Sequence, residues 1–222
     1  MGEGAPGTYD VVSASGSPMA AQTELEEPID GRTARAVRTK DAIVDATLGL
    51  IDEGDLRPTG PRIAERAGVS VRSIFQHFDD LDALFSAVGD RVVTRIAGLL
   101  SPIDPAMALP ERLPMFVAQR AEVLESLTPV LRAALVHAAT SKVIRHQFDS
   151  GHQFFRAHIG EVFATELSAA PDREVLLEAL MITLSWPTWD MLRGAECKTP
   201  QEAQAVIDWS VRAVLGRAGF PA

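Results

Sequence analysis

The sequence predicts an all-α fold, with a three-helix N-terminal unit built around a helix-turn-helix and a larger C-terminal helical unit. Apolar residues recur at three- and four-residue spacing through most of the chain, the signature of helices with one buried stripe. Hydrophobic residues make up 46% but aromatics only 6%, and the chain is rich in Ala, Leu and Val, a balance that favours helices over sheets. Gly and Pro punctuate the periodic stretches, and almost no strand is expected. At 222 residues the chain can bury a core without disulfides or metal, and its single cysteine, Cys197, has no thiol partner, which suits a reducing cytoplasm.

Residues 1–31 carry six acids and no Lys or Arg, are rich in Gly, Ala, Ser and Pro, and lack apolar periodicity; a disordered tail is expected there. Over 33–53, Val37, Ile43, Val44, Ala46, Thr47, Leu50 and Ile51 make one buried stripe of a helix, and Gly54 ends it. Thr59 is placed to cap a short helix to residue 67, with Ile63, Ala64 and Ala67 inward and Gly68 closing it in the left-handed region. Ser70 starts a third helix. Ile74 and Phe78 are its i and i+4 anchors, while Val71, Arg72, Ser73, Gln76 and His77 lie on or beside the opposite face.

Asp79 or Asp80 then caps a helix over 81–100 carried by Leu81, Leu84, Phe85, Val88, Val92 and Ile96, and Pro102 and Pro105 mark a boundary. Further helices are expected at 106–126, 129–146, 148–168, 172–194 and 199–217. Their separators are Pro129, the Asp149-Ser150-Gly151 stretch, Pro171 and Pro200. The organisation is therefore a tail (1–31), a helix-turn-helix domain (32–80) and a helical domain (81–222), with helix 81–100 connecting the last two.

Residues 59–78 read T-G-P-R-I-A-E-R-A-G-V-S-V-R-S-I-F-Q-H-F, two short helices joined by a tight Gly turn. In a helix-turn-helix the first helix lies across the backbone of duplex DNA and the second enters the major groove. Arg72 can bond guanine through two donors, Gln76 can contact adenine and Val71 a thymine methyl. Lys40, Arg38, Arg35 and Arg32 precede or open the first helix and can reach phosphates or a minor groove. The formal net charge of −9 argues against avid nonspecific binding, but residues 32–78 hold eight bases against six acids, so the acidity is concentrated elsewhere.

These residues resemble the N-terminal signature of the tetracycline-repressor (TetR) family, T-x-x-x-I-A-x-x-A-G-V-S-x-x-[ST]-[LI]-[YF]-x-H-F. The resemblance extends back through Ala42-Ile43-Val44-Asp45-Ala46 and on to Leu84. It implies that the helix end at Thr59 and Arg62 contact phosphate, that Ser70 opens the recognition helix, that Val71, Arg72, Ser73 and Gln76 face bases, and that Phe75 and His77 lie at the DNA backbone. Three positions depart from the usual pattern: Phe75 where many relatives have Tyr, Leu81 where many have Lys, and Arg72 where many have Gly. The cluster Asp79, Asp80 and Asp82 favours the following helix dipole but repels a nearby phosphate.

In the C-terminal part, His137, His146, His152 and His158 do not share a helix face at metal-ligand spacing, so no metal and no cofactor is expected. The aromatics there are individually core residues more often than ligand cages. Together they suggest a cavity for a small apolar effector, with Phe116, Arg120, His137, Phe148, Phe155, Trp186 and Trp189 as its candidate lining and Gln119 as a further polar partner. Trp186-Pro187 is expected to loosen one helical turn beside it. The apolar content of the last two helices, 172–194 and 199–217, implies by resemblance a homodimer interface.

No P-loop, dinucleotide fingerprint or nucleophile elbow occurs, so an enzyme is not expected. Neither is a membrane partner, and the expected location is the cytoplasm. The expected function is a ligand-responsive repressor that binds operator DNA; the alternative is a helical dimeric carrier or interaction protein that has lost DNA binding.

Overall fold

The computed structural model describes residues 31–139 and 141–221; of the acidic segment 1–31, all but Gly31 lies outside the described residues. Ten helices and no strand occur among the described residues. They are α1 (Gly31–Asp52), α2 (Gly60–Ala67), α3 (Val71–His77), α4 (Leu81–Ala97), α5 (Leu109–Ala138), α6 (Lys142–Val162), α7 (Ala164–Ala169), α8 (Arg173–Thr183), α9 (Trp186–Arg193) and α10 (Pro200–Arg217). None is long and apolar enough to cross a membrane.

Two apolar cores organise the chain. The first gathers Ile43, Val44 and Ile51 of α1, Ile63 of α2, Ile74 of α3, and Leu84, Val88, Val92 and Ile96 of α4, and continues onto Val123, Leu127 and Ala133 of α5. The second is built from α5 to α10 around Leu113, Phe116, Leu124, Phe163, Leu180, Trp189 and Val211. Because α5 contributes to both, the N-terminal helices rest on the same element that anchors the C-terminal ones. Val37, expected on the buried stripe of α1, is exposed, because the first turns of α1 project beyond this core.

Two arginines of α4 fix its seat. Arg91 reaches Asp41 at 2.8 Å and Asp45 at 2.7 Å, while Arg95 joins Asp52 at 2.9 Å and donates to the Ser126 carbonyl of α5 at 2.8 Å. Further along, Gly89 of α4 is covered by Gln147 of α6. A β-carbon at 89 would fall 2.8 Å from the Gln147 amide carbon, so any larger residue would displace the Gln147 side chain from this position.

Three expected boundaries are overturned. The chain does not break at Pro129: α5 runs through it and through Pro114 as one 30-residue helix. Proline removes one N–H and crowds the preceding turn, a penalty of about 3 kcal/mol, but α5 packs on α1, α4, α6, α9 and α10, which offsets it. Helix α6 begins at Lys142, not 148, because the Ser141 hydroxyl accepts from the Ile144 N–H at 3.2 Å; Asp149-Ser150-Gly151 lies inside the helix. Finally, the expected helix 172–194 is two. Ser185 ends one and caps the next, and Pro187 occupies the first turn of α9, where its missing N–H costs nothing.

The C-terminal core also encloses an ion pair. Arg112 of α5, 1% exposed, meets Glu166 of α7 at 2.6 Å and donates to the Pro105 and Met107 carbonyls. Removing one partner leaves the other charged and buried. Glu166→Ala is therefore expected to lower stability by about 3–5 kcal/mol in urea denaturation, with much of the loss recovered by an Arg112→Met, Glu166→Leu double substitution. A single variant as stable as the parent would show that the pair carries no such constraint.

Candidate nucleic-acid interface and effector site

Helices α2 and α3 form a helix-turn-helix because each end of the turn is closed locally. Gly68 takes φ 67°, ψ 32°, the left-handed region that glycine adopts freely, and its N–H and that of Val69 return to the Glu65 and Ala64 carbonyls at 3.2 and 3.0 Å. Two residues on, the Ser70 hydroxyl accepts from the Ser73 N–H at 3.1 Å and starts α3. Ile74 and Phe78 are buried in the N-terminal core, which fixes which side of α3 faces inward.

The opposite side meets solvent. Val71, Arg72, Phe75 and Gln76 are exposed, Phe75 by 51%, and Ser73 and His77 are half-buried at the flanks. No hydrogen bond or ion pair among the described residues engages the Arg72 or Gln76 side chain, so both are available to a partner. Thr59 stands at the N-cap of α2 in extended backbone with no side-chain capping bond. Arg62, one turn on, is exposed and paired at 2.6 Å with the largely buried Asp55. Lys40 of α1 is exposed, its Nζ 5.4 Å from the Phe78 ring centre.

One function of a charged residue could not be read from sequence spacing. Arg66 grips both carboxylate oxygens of Glu53, tying α2 to the end of α1; the partners are 13 positions apart, with no local signal. This pairing holds the Glu53 carboxyl below its usual range, chiefly through the Arg66 hydrogen bond. In the acidic run, Asp80 is the α4 N-cap, its carboxylate accepting from the Ala83 N–H at 2.7 Å.

Residues 43–88, which run from the second half of α1 to the middle of α4, match the family model described as bacterial regulatory proteins, tetR family. Over those residues the chain is similar to the TetR family. Beyond those residues, solved structures share the overall helical fold over nearly their whole length. A transcriptional regulator from Rhodococcus sp. RHA1 is 19% identical, with 84% of this chain and 99% of that one covered at a TM-score of 0.64. A regulator assigned to the TetR family from Mesorhizobium loti is 20% identical (82% and 98% covered, TM-score 0.62), and a TetR transcription regulator from Haloarcula marismortui is 17% identical (82% and 98%, TM-score 0.58). No curated protein matches the sequence.

The residues expected to line an effector cavity in the TetR-type C-terminal unit are not all neighbours. Phe116, Arg120 and Phe155 come together where α5 and α6 meet the end of α8. Phe116 is in the core, 5.2 Å from the Phe163 ring and 5.7 Å from His158, and Arg120 stacks on Phe155 at 3.7 Å. Trp186 instead donates to the Thr128 hydroxyl at 3.2 Å, and Trp189, fully buried, donates to Glu125 at 3.0 Å. His137 lies against Phe85 at 4.8 Å, and Phe148 is half-buried on α6. Gln119 turns away to the Ser101 carbonyl at 2.9 Å. A surface groove of about 720 Å³ lies along α5 and the start of α10; of the expected lining residues, it includes only Trp189.

His158, set aside in sequence as a poor metal ligand, proves to be part of the Arg120 neighbourhood. Burial, and then the Arg120 charge, push its pKa down. Arg120 itself is pushed down to about 9 by burial.

The local roles on α3 separate experimentally. Ser70→Ala is expected to cost about 1 kcal/mol of stability through the lost cap, whereas Phe75→Ala should change it by less than about 0.5 kcal/mol. A large loss for Phe75→Ala in urea melts would mean that its ring is a packing residue.

Proposed function

We propose that the protein is a homodimeric transcription regulator, a repressor whose α3 enters the major groove of operator DNA and which is released when a small, largely apolar effector enters the C-terminal helices. The observation that carries this reading is the outward face of α3: Arg72 and Gln76 stand in solvent without partners of their own, on a helix held from behind by Ile74 and Phe78. Those two side chains have the donors and acceptors that read guanine and adenine edges. Arg62, Thr59 and Lys40 then serve the phosphates, with Ser70, Val71, Ser73, Phe75 and His77 completing the contact surface. The cytoplasm, where the chromosome lies, is the matching compartment.

Twofold pairing is supported by an apolar surface on the last helices. Val175 and Ile182 lie two turns apart on α8, with Ile182 68% exposed, and Val206 and Trp209 lie one turn apart on α10, with Trp209 71% exposed. Helices α8 and α10 pack together within the chain, so these side chains can form one continuous face. Burying such a face against a second copy relieves its exposure and sets two recognition helices about 34 Å apart, one turn of duplex. An effector acts on this arrangement only through its difference in affinity between the DNA-bound and released conformations.

Three measurements test this. In gel shifts with DNA from the gene's own promoter region, log affinity should fall linearly with log salt and a specific sequence should outcompete bulk DNA; absence of any sequence-selective shift would leave the carrier alternative in place. Arg72→Ala should cost about 1–3 kcal/mol on the specific site and alter base preference, whereas Arg62→Ala should weaken all sequences alike. Equal effects of the two would remove Arg72 from base reading. In analytical ultracentrifugation Trp209→Glu should turn a dimer into a monomer, and a dimer unaffected by that substitution would move the interface elsewhere.

A further inference from the structure

Helix α5 buries two arginines, Arg112 and Arg120, spaced eight residues apart and 1% and 6% exposed. Arg112 has its counter-ion in Glu166. Arg120 has none: its Nε and Nη2 both donate to the Leu184 carbonyl, at 2.9 and 2.7 Å, its plane lies on the Phe155 ring, and its Nη1 is buried with no acceptor. No ion pair among the described residues includes it. A buried cation is strongly disfavoured without an opposing charge, and neither one carbonyl nor an aromatic face supplies a full one.

The surroundings define what would complete it. Phe154, exposed on α6, contacts His158, and His158 contacts Phe116 in the core, so aromatic surface leads from solvent toward the guanidinium. Glu161 acts on His158 and not on Arg120, and burial, then the Arg120 charge, push the His158 pKa down. One guanidinium with a single spare nitrogen, set among rings, suits a singly charged head on an apolar body better than a small polyanion that needs several donors.

We propose that Arg120 is the seat of an amphipathic organic carboxylate, whose head pairs with Nη1 and whose apolar body lies along Phe116, Phe154, Phe155 and His158. Entry requires the half-buried Phe155 ring to swing off the guanidinium. This deepens the effector reading above and rests on it for any consequence at DNA, but the binding event stands by itself.

The test is isothermal titration calorimetry on the full chain with straight-chain carboxylates from butyrate to palmitate and with benzoate, each beside its primary amide, and with inorganic phosphate. At least one carboxylate should bind, its amide weaker by roughly tenfold or more, and Arg120→Gln should erase that preference, while phosphate alone should not bind. The inference is overturned by no binding from any carboxylate, by equal binding of acid and amide, by a preference that survives Arg120→Gln, or by phosphate binding as tightly as the carboxylates. Should Arg120→Gln fail to fold, the acid-against-amide comparison in the parent protein decides. Gel shifts of the same preparations keep the two readings apart. Sequence-selective DNA binding without a carboxylate preference sinks this inference alone; a carboxylate preference without DNA binding sinks the regulator alone.

Discussion

A seven-residue helix does not hold together in water on its own, and α3 exists because Ile74 and Phe78 are drawn into a core made by other helices. That attachment is the constraint on which the interface depends. It sets the rotation of α3 about its axis, and the rotation decides which side chains are offered outward. The Gly68 turn and the Ser70 cap limit the possible approaches, but neither would fix the outward face without the two anchors behind it.

The N-terminal unit was legible in sequence because its determinants are local. Caps, a left-handed glycine and an i, i+4 apolar pair all act within a few residues, and α1 to α4 lie close to where periodicity places them. The C-terminal unit was less legible because its determinants are distant. Pro129 reads as a breaker by local chemistry, but contacts from five other helices hold α5 straight through it. Conversely, the separation of α8 from α9 depends on Ser185 serving as a cap, which a continuous apolar pattern conceals.

The candidate sites divide along the same line. On α3 the outward residues follow from helix geometry alone once the anchors are chosen. Around Arg120, the relevant partners are the Leu184 carbonyl just past α8, Phe116 of α5 and Phe155 and His158 of α6; helical spacing pairs them within α5 and within α6, but nothing in it brings those two helices and the carbonyl together. The two buried arginines of α5 look equivalent in sequence. Only the fold reveals that one is neutralised by Glu166 and the other is not.

The close seating of Gln147 over Gly89 has a mechanical corollary. Because no side-chain atom at 89 stands in the way, the Gln147 amide can lie over α4 and donate to the Ser86 carbonyl at 3.3 Å, so at this point the two helices meet through one polar tether on a flexible arm. At this point of contact a shift of α6 can be taken up by rotation of the Gln147 side chain before it reaches α4, which Arg91 and Arg95 staple to α1. The missing methyl group at position 89 thus leaves room for a swivelling polar contact between α4 and α6 where a larger residue would put a fixed apolar one.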